Sequence, residues 1–200
     1  MEYLILIIAL IFSIVFHELA HGIVADKLGD DTPRNSGRLT LNPVSHIDPV
    51  GSIMLPLILF LLNAGFIFGW AKPVPINYLN FKNPKRDIML VALAGPLSNI
   101  LFALLLTFLL KFWILLDFYV NKDLVLLMIR LNIVLAVFNL LPIPPLDGSK
   151  IFFNFLPFPY QLILENWGFL ILIFILIFAP QLIFGIINYI FLIYLNIFGL

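Results

Sequence analysis

Five apolar stretches, near residues 3–24, 50–70, 88–116, 124–141 and 167–200, occupy most of this chain, and no polar stretch between them is long enough for a soluble domain. A bilayer core about 30 Å thick needs about 20 apolar residues per helix, so the chain is predicted to be an all-α multi-pass membrane protein. Composition agrees: 62% of residues are hydrophobic, 11% are charged, and the mean hydropathy is +1.11, beyond the range of soluble domains. Residues 1–200 are expected to form a single intramembrane domain. The run Tyr3–Phe16 has no basic flank and no small-residue cleavage site, so it reads as a retained helix and not a signal peptide.

The breaks between the stretches refine the helical bundle. The first helix is predicted over about 3–24 and ends toward Lys27 and Gly29. Residues 30–49 hold Pro33, Gly37, Pro43 and Pro49 with short apolar alternation, which favours turns and a small strand pair over a helix. Pro56 and Asn63-Ala64-Gly65 interrupt 50–70, whereas 88–110 and 124–141 read as full spans. Pro142-Ile143-Pro144-Pro145 then breaks the helix, because proline lacks an N–H and clashes with the preceding turn. The tail 167–200 is divided by Pro180, giving one kinked helix or a span followed by an interfacial piece.

Chemistry concentrates in His17-Glu18-Leu19-Ala20-His21. Histidines four apart project from one helix face with Cβ atoms about 5–6 Å apart, within reach of one ion. Glu18 is offset by one position, which keeps its carboxylate out of the ligand set but near the attacking water, where a general base belongs. Ionisable groups inside a span are costly and usually functional; the plainer reading is a set of polar residues hydrogen-bonded between helices. His17 lies roughly 20 Å from the Glu2 end and His21 roughly 10 Å from the Lys27 end, so the motif sits below one membrane surface.

A catalytic zinc takes three protein ligands and an open position. With no cysteine in the chain, the third must be His, Asp or Glu. Asp147 is the best candidate because it follows the proline break, although an Asp-Gly pair also reads as an ordinary turn. His46, Asp48 and Glu165 are reserves, with His46 also a possible neighbour of the site or a plain loop histidine. Asn99 reads as helix packing or a bridge to a neighbour, and Asn139 as an interhelical hydrogen bond or a group that holds substrate backbone. Eleven basic residues balance eleven acidic ones, so no charge excess points to nucleic acid.

In order and spacing, HELAH at 17–21, GPLSN at 95–99 and NLLPIPPLDG at 139–148 resemble the site-2 protease family of intramembrane metalloproteases. The resemblance covers about 17–150 and implies Zn2+ held by His17, His21 and Asp147, Glu18 as base, and hydrolysis of peptide bonds in transmembrane segments of membrane-protein substrates. The stretches LTLNPVSHIDPVGSIMLP and FGWAKPVPIN look like a compact prokaryotic branch, with no room here for the PDZ or CBS modules of other branches. A membrane transporter of metal or protons is the alternative, and an inactive scaffold a second one. The first does not account for Glu directly after His17, and the intact motif elements stand against the second.

One zinc requires Asp147 at the depth of His17 and His21, hence an even number of crossings between them. The stretch 50–70 is therefore expected to be re-entrant or a shallow hairpin. Lys27, Arg34, Arg38, Lys72, Lys82, Lys85, Arg86 and Lys150 then share one side against Lys111 and Lys122 on the other. The positive-inside rule makes the zinc side cytoplasmic, in a cell membrane.

Overall fold

A computed structural model describes residues 2–63, 69–118, 121–153 and 155–200. Helix α1 (Glu2–Lys27) is apolar almost throughout, and four-residue spacing brings Ala9, Ser13, His17, His21 and Ala25 to one buried face. Leu4, Ile8, Ile11 and Phe12 lie exposed elsewhere on it, as a lipid-facing surface requires. After α1, Asp30 ties three segments together. Its carboxylate accepts hydrogen bonds from the Thr32 N–H and hydroxyl, the Asn77 N–H and the Asn80 amide. Burial raises the pKa of this carboxyl, but those donors outweigh it and hold it below the ordinary carboxylate range.

The expected strand pair in 30–49 is replaced by short helical turns, α2 (Thr32–Asn35) and a 3-10 turn (Pro43–His46). No strand occurs among the described residues. The cause is local: Asn42 accepts the Val44 N–H and Asp48 accepts the N–H groups of Val50 and Gly51, and each capping residue is followed by proline at the first helical position. A π-helical turn (Pro49–Met54) then runs into α3 (Leu55–Leu61).

The chain comes back beside its own start. Trp70 N–H donates to the Gly51 carbonyl, the Ser52 hydroxyl to the Trp70 carbonyl, and Lys72 N–H to the His46 carbonyl. The expected hairpin is thus present at its base; Ala64 and Gly65 of the predicted interruption lie outside the described residues.

Helix α4 (Pro84–Leu115) leads away from this base and α5 (Lys122–Asn139) packs back along it, with α1 against both. Ala103, Leu106 and Leu110 of α4 interlock with Val125, Ile129 and Ile133 of α5. Among the described residues four helices are long and apolar enough to cross a membrane: α1, α4, α7 (Phe158–Phe178) and α8 (Pro180–Phe198). The expected span 124–141 forms as the single helix α5, less apolar than these four because its 18 residues include Lys122, Asp123 and Arg130. In the tail Pro180 starts a second helix, α8, and does not kink a single one, and α7 begins at Phe158, well before 167. Proline fits the first turn of a helix and breaks its interior.

Candidate metal centre

The backbone of α4 comes close against the histidine face of α1 at Gly95. A Cβ there would stand 2.3 Å from His21 Nε2 and 2.6 Å from His17 Nε2, so only glycine leaves room for both rings. Asp147 arrives from the other direction. α5 ends at Asn139, the proline-rich loop turns, and Asp147 opens α6 (Asp147–Phe153). The turn closes only because residue 148 is glycine, as a Cβ would lie 2.2 Å from the Leu140 carbonyl oxygen.

These constraints bring three ligand atoms to one point. His17 Nε2, His21 Nε2 and Asp147 Oδ2 form a triangle whose sides are all 3.1 Å. The three residues are 6%, 6% and 7% exposed. Zinc bonds of about 2.0–2.1 Å in a tetrahedron put neighbouring ligand atoms roughly 3.3 Å apart, so the triangle fits one face of such a site.

Hydrogen bonding determines which ring nitrogen faces the triangle. His21 Nδ1 lies 2.6 Å from the Val91 carbonyl, which only accepts, so Nδ1 carries the proton. For His17 the direction follows from a chain of amides. Asn132 Nδ2 donates to the Met128 carbonyl, so its Oδ1 accepts from Asn99 Nδ2, which also donates to the Ser13 carbonyl. Asn99 Oδ1 therefore faces His17 Nδ1, at 2.6 Å, and accepts its proton. In their neutral forms both imidazoles direct an Nε2 lone pair at the Asp147 carboxylate. Three acceptors without a proton among them repel one another unless a cation sits between them, and outer hydrogen bonds of this kind are the usual means of orienting metal-ligating histidines.

Around the triangle, Glu18 is partly buried and its Oε2 accepts the Val74 N–H at 2.9 Å. Asp147 turns its second oxygen to Lys150 Nζ at 3.5 Å. Burial pulls the Lys150 pKa down, but Asp147, Tyr78 and Glu18 outweigh it and hold the ammonium above its ordinary value.

The remaining sequence candidates are distributed more widely. Asn99 is 1% exposed and bonded to His17, whereas Asn139 donates to the Leu135 carbonyl of its own helix. His46 is buried in its 3-10 turn and donates Nε2–H to the Thr40 carbonyl, Asp48 caps the next turn, and Glu165 is exposed on α7. Sequence reasoning passed over Ser13, Val74 and Asn132. An asparagine and a serine on apolar helices were the available signals for two of them; a backbone N–H leaves none.

The model of Peptidase family M50 matches residues 118–179, which include the Asp147 loop. YwhC of Bacillus subtilis, assigned by name as a zinc metalloprotease, is 46% identical over 159 residues, 76% of this chain and 69% of its own length. Rip2 of Mycolicibacterium smegmatis, similarly assigned, is 31% identical over 179 residues, 88% of this chain and 67% of its own. MJ0611 of Methanocaldococcus jannaschii, also so assigned, is 29% identical over 153 residues, 74% and 69% of the two chains. No solved structure gives a significant match. Taken with the long apolar helices of the fold, two of which, α1 and α4, flank the triangle, these likenesses establish that the chain belongs to peptidase family M50, the site-2 proteases, and is an intramembrane zinc metalloprotease.

Proposed function

We propose that residues 1–200 act as one intramembrane domain that cleaves peptide bonds in or beside the transmembrane segments of its membrane-protein substrates. In this reading His17, His21 and Asp147 hold one zinc ion and Glu18 is the general base. The observation that carries it is the 3.1 Å triangle of acceptors, with a carboxylate one residue along the same helix. Zinc bound there supplies Lewis acidity toward a scissile carbonyl and lowers the pKa of a water toward about 7.

The chain's own groups do the rest. Asn99 and Val91 hold the imidazoles in the tautomer that exposes Nε2. The Glu18 carboxylate accepts the proton of the attacking water and returns it to the leaving amine nitrogen. The Val74 N–H holds that carboxylate through one oxygen. For Asn99 the hydrogen bond to His17 supports an orienting role in place of a substrate contact. Asn139, partly buried at the start of the loop that delivers Asp147, remains the candidate for holding substrate backbone. Nothing in the fold or the relatives favours a transporter.

The deciding experiment is cleavage of a single-span substrate by the purified chain in nanodiscs, with Glu18→Gln alongside and bound metal measured in both. Turnover should fall about 10²–10⁴-fold in the variant, the usual worth of a general base, while zinc stays at one per chain. Equal turnover would remove Glu18 from this role. The site is further proposed to lie nearer the cytosol of a cell membrane, because a topology in which α4 and α5 each cross once puts eight basic residues on its side. Labelling of Lys72→Cys only by an extracellular reagent would overturn that orientation.

A further inference from the structure

Arg130 is an exposed arginine at the middle of two helices. It is the ninth residue of α5, and its Nη2 donates to Oδ1 of Asn188 at 2.8 Å, the ninth residue of α8. α8 is long and apolar enough to cross a membrane, and a crossing α8 puts the guanidinium, midway along both helices, near half-depth. Snorkelling relieves basic side chains near helix ends, but here the ends of α5 are about 12 Å or more away.

The support around it is thin for such a position. Its guanidinium carbon lies 5.6 Å from the centre of the Phe191 ring, and no acidic side chain among the described residues pairs with it. A guanidinium has five N–H donors, and a charge in hydrocarbon is rare without a partner of opposite sign. Arg130, Asn188, Phe191 and Leu192 line an open groove of about 380 Å³. One turn before Asn188 on the same face stands Gly185, where a Cβ would meet nothing, so a second helix has room to approach closely.

We propose that this α5–α8 groove is a docking site for the transmembrane helix of a partner protein carrying an aspartate or glutamate near mid-span. The carboxylate enters the groove and pairs with Arg130 in the fork geometry that guanidinium and carboxylate share, Asn188 holds the guanidinium in place, and the partner backbone lies against Gly185. Charge complementarity selects the occupant: a purely apolar helix leaves the guanidinium donors unpaired in hydrocarbon. This surface is independent of the metal centre and of the reaction proposed for it.

The test uses the full chain in phosphatidylcholine nanodiscs and two labelled Leu/Ala host peptides of transmembrane length, one with a central Glu and one with Gln. Binding is read by fluorescence transfer at pH 8. The Glu peptide should bind wild type at least ten-fold more tightly than the Gln peptide. Arg130→Gln should reduce that preference to within two-fold, Arg130→Lys should keep the charge but not the fork and so retain only part of it, and Gly185→Leu should weaken both peptides. Equal binding of the two peptides to wild type overturns the proposal. So does an Arg130-dependent association between copies of this chain in place of peptide binding. Loss of bound phosphatidylglycerol in Arg130→Gln with no peptide preference would assign the groove to a lipid headgroup and overturn it equally.

Discussion

Helices α1 and α7 have nearly the same mean hydropathy, 2.2 and 2.1, yet 28% of one span is buried within the protein and 11% of the other. By hydropathy the two are interchangeable membrane spans. Their difference lies in a few positions. α1 carries Ser13, His17 and His21 on one face, and each is satisfied by α4 or by backbone. α7 buries little beyond Gly168 and Leu172, and meets the rest of the molecule through contacts such as the Trp70–Phe169 ring pair. Lipid is as apolar as leucine, so an apolar face gains little by turning inward. Polar and small residues decide which helices form the interior.

The sharpest way to break that comparison is Gly95→Ala. In an ordinary helix this exchange gains about 1 kcal/mol; here the Cβ meets His21 Nε2 at 2.3 Å. Zinc affinity, read by chelator competition, should fall by more than about 100-fold, beyond the usual reach of an outer-shell change, with helical content retained. Full zinc retention would show that α1 and α4 do not meet as described. Asn99→Leu removes the acceptor of His17 Nδ1 without crowding the rings, and should cost about 10–100-fold in zinc affinity. Asn132→Leu, one step further out, should cost less.

Asp30→Asn probes how the end of α1 is anchored. Loss of a buried charged acceptor should destabilise the chain by about 1–3 kcal/mol at neutral pH. The folded pKa of Asp30 lies below its unfolded value of about 3.9. Its contribution is therefore full above that value and is lost as pH falls through the lower folded pKa. Thermal midpoints should drop more steeply between neutral pH and acid in wild type than in the variant; parallel curves would exclude Asp30 as the anchor. The smallest effect is expected on α7, where Leu170 is 56% exposed. Leu170→Ala should change stability by less than about 0.5 kcal/mol and leave zinc untouched. A larger loss would mean that α7 is packed after all.

Much of the fold was legible because a bilayer imposes its own rules. The apolar stretches predicted helices, and Pro56 with the need for an even crossing count predicted a hairpin whose limbs indeed meet at Gly51 and Trp70. The strand pair at 30–49 was misread because alternation over a few residues resembles a strand, while Asn42-Pro43 and Asp48-Pro49 cap turns. Pro180 left open one kinked helix or a span followed by a separate piece, since a proline alone does not say whether it begins a helix or bends one; it opens α8. At the site, His17, Glu18 and His21 were visible as a pattern, and Asp147 by its place after a proline break and by resemblance. The amide chain through Asn99 and Asn132 was not, because each looks like any asparagine in a span until its neighbours are known.

The sequence by itself determined that this chain lives in a membrane, that cysteine plays no part in its chemistry, and that two histidines share a helix face beside a glutamate. Those follow from composition and from local helical geometry, which need no partner segment. Only the tertiary structure decided that the third ligand, the Asp147 carboxylate 126 residues beyond His21, meets the histidine pair, and that Nε2 of both rings faces it. The physical reason is distance along the chain. Contacts across α1, α4 and α6 depend on how closely helices approach, and that approach is set by the missing side chains at Gly95 and Gly148.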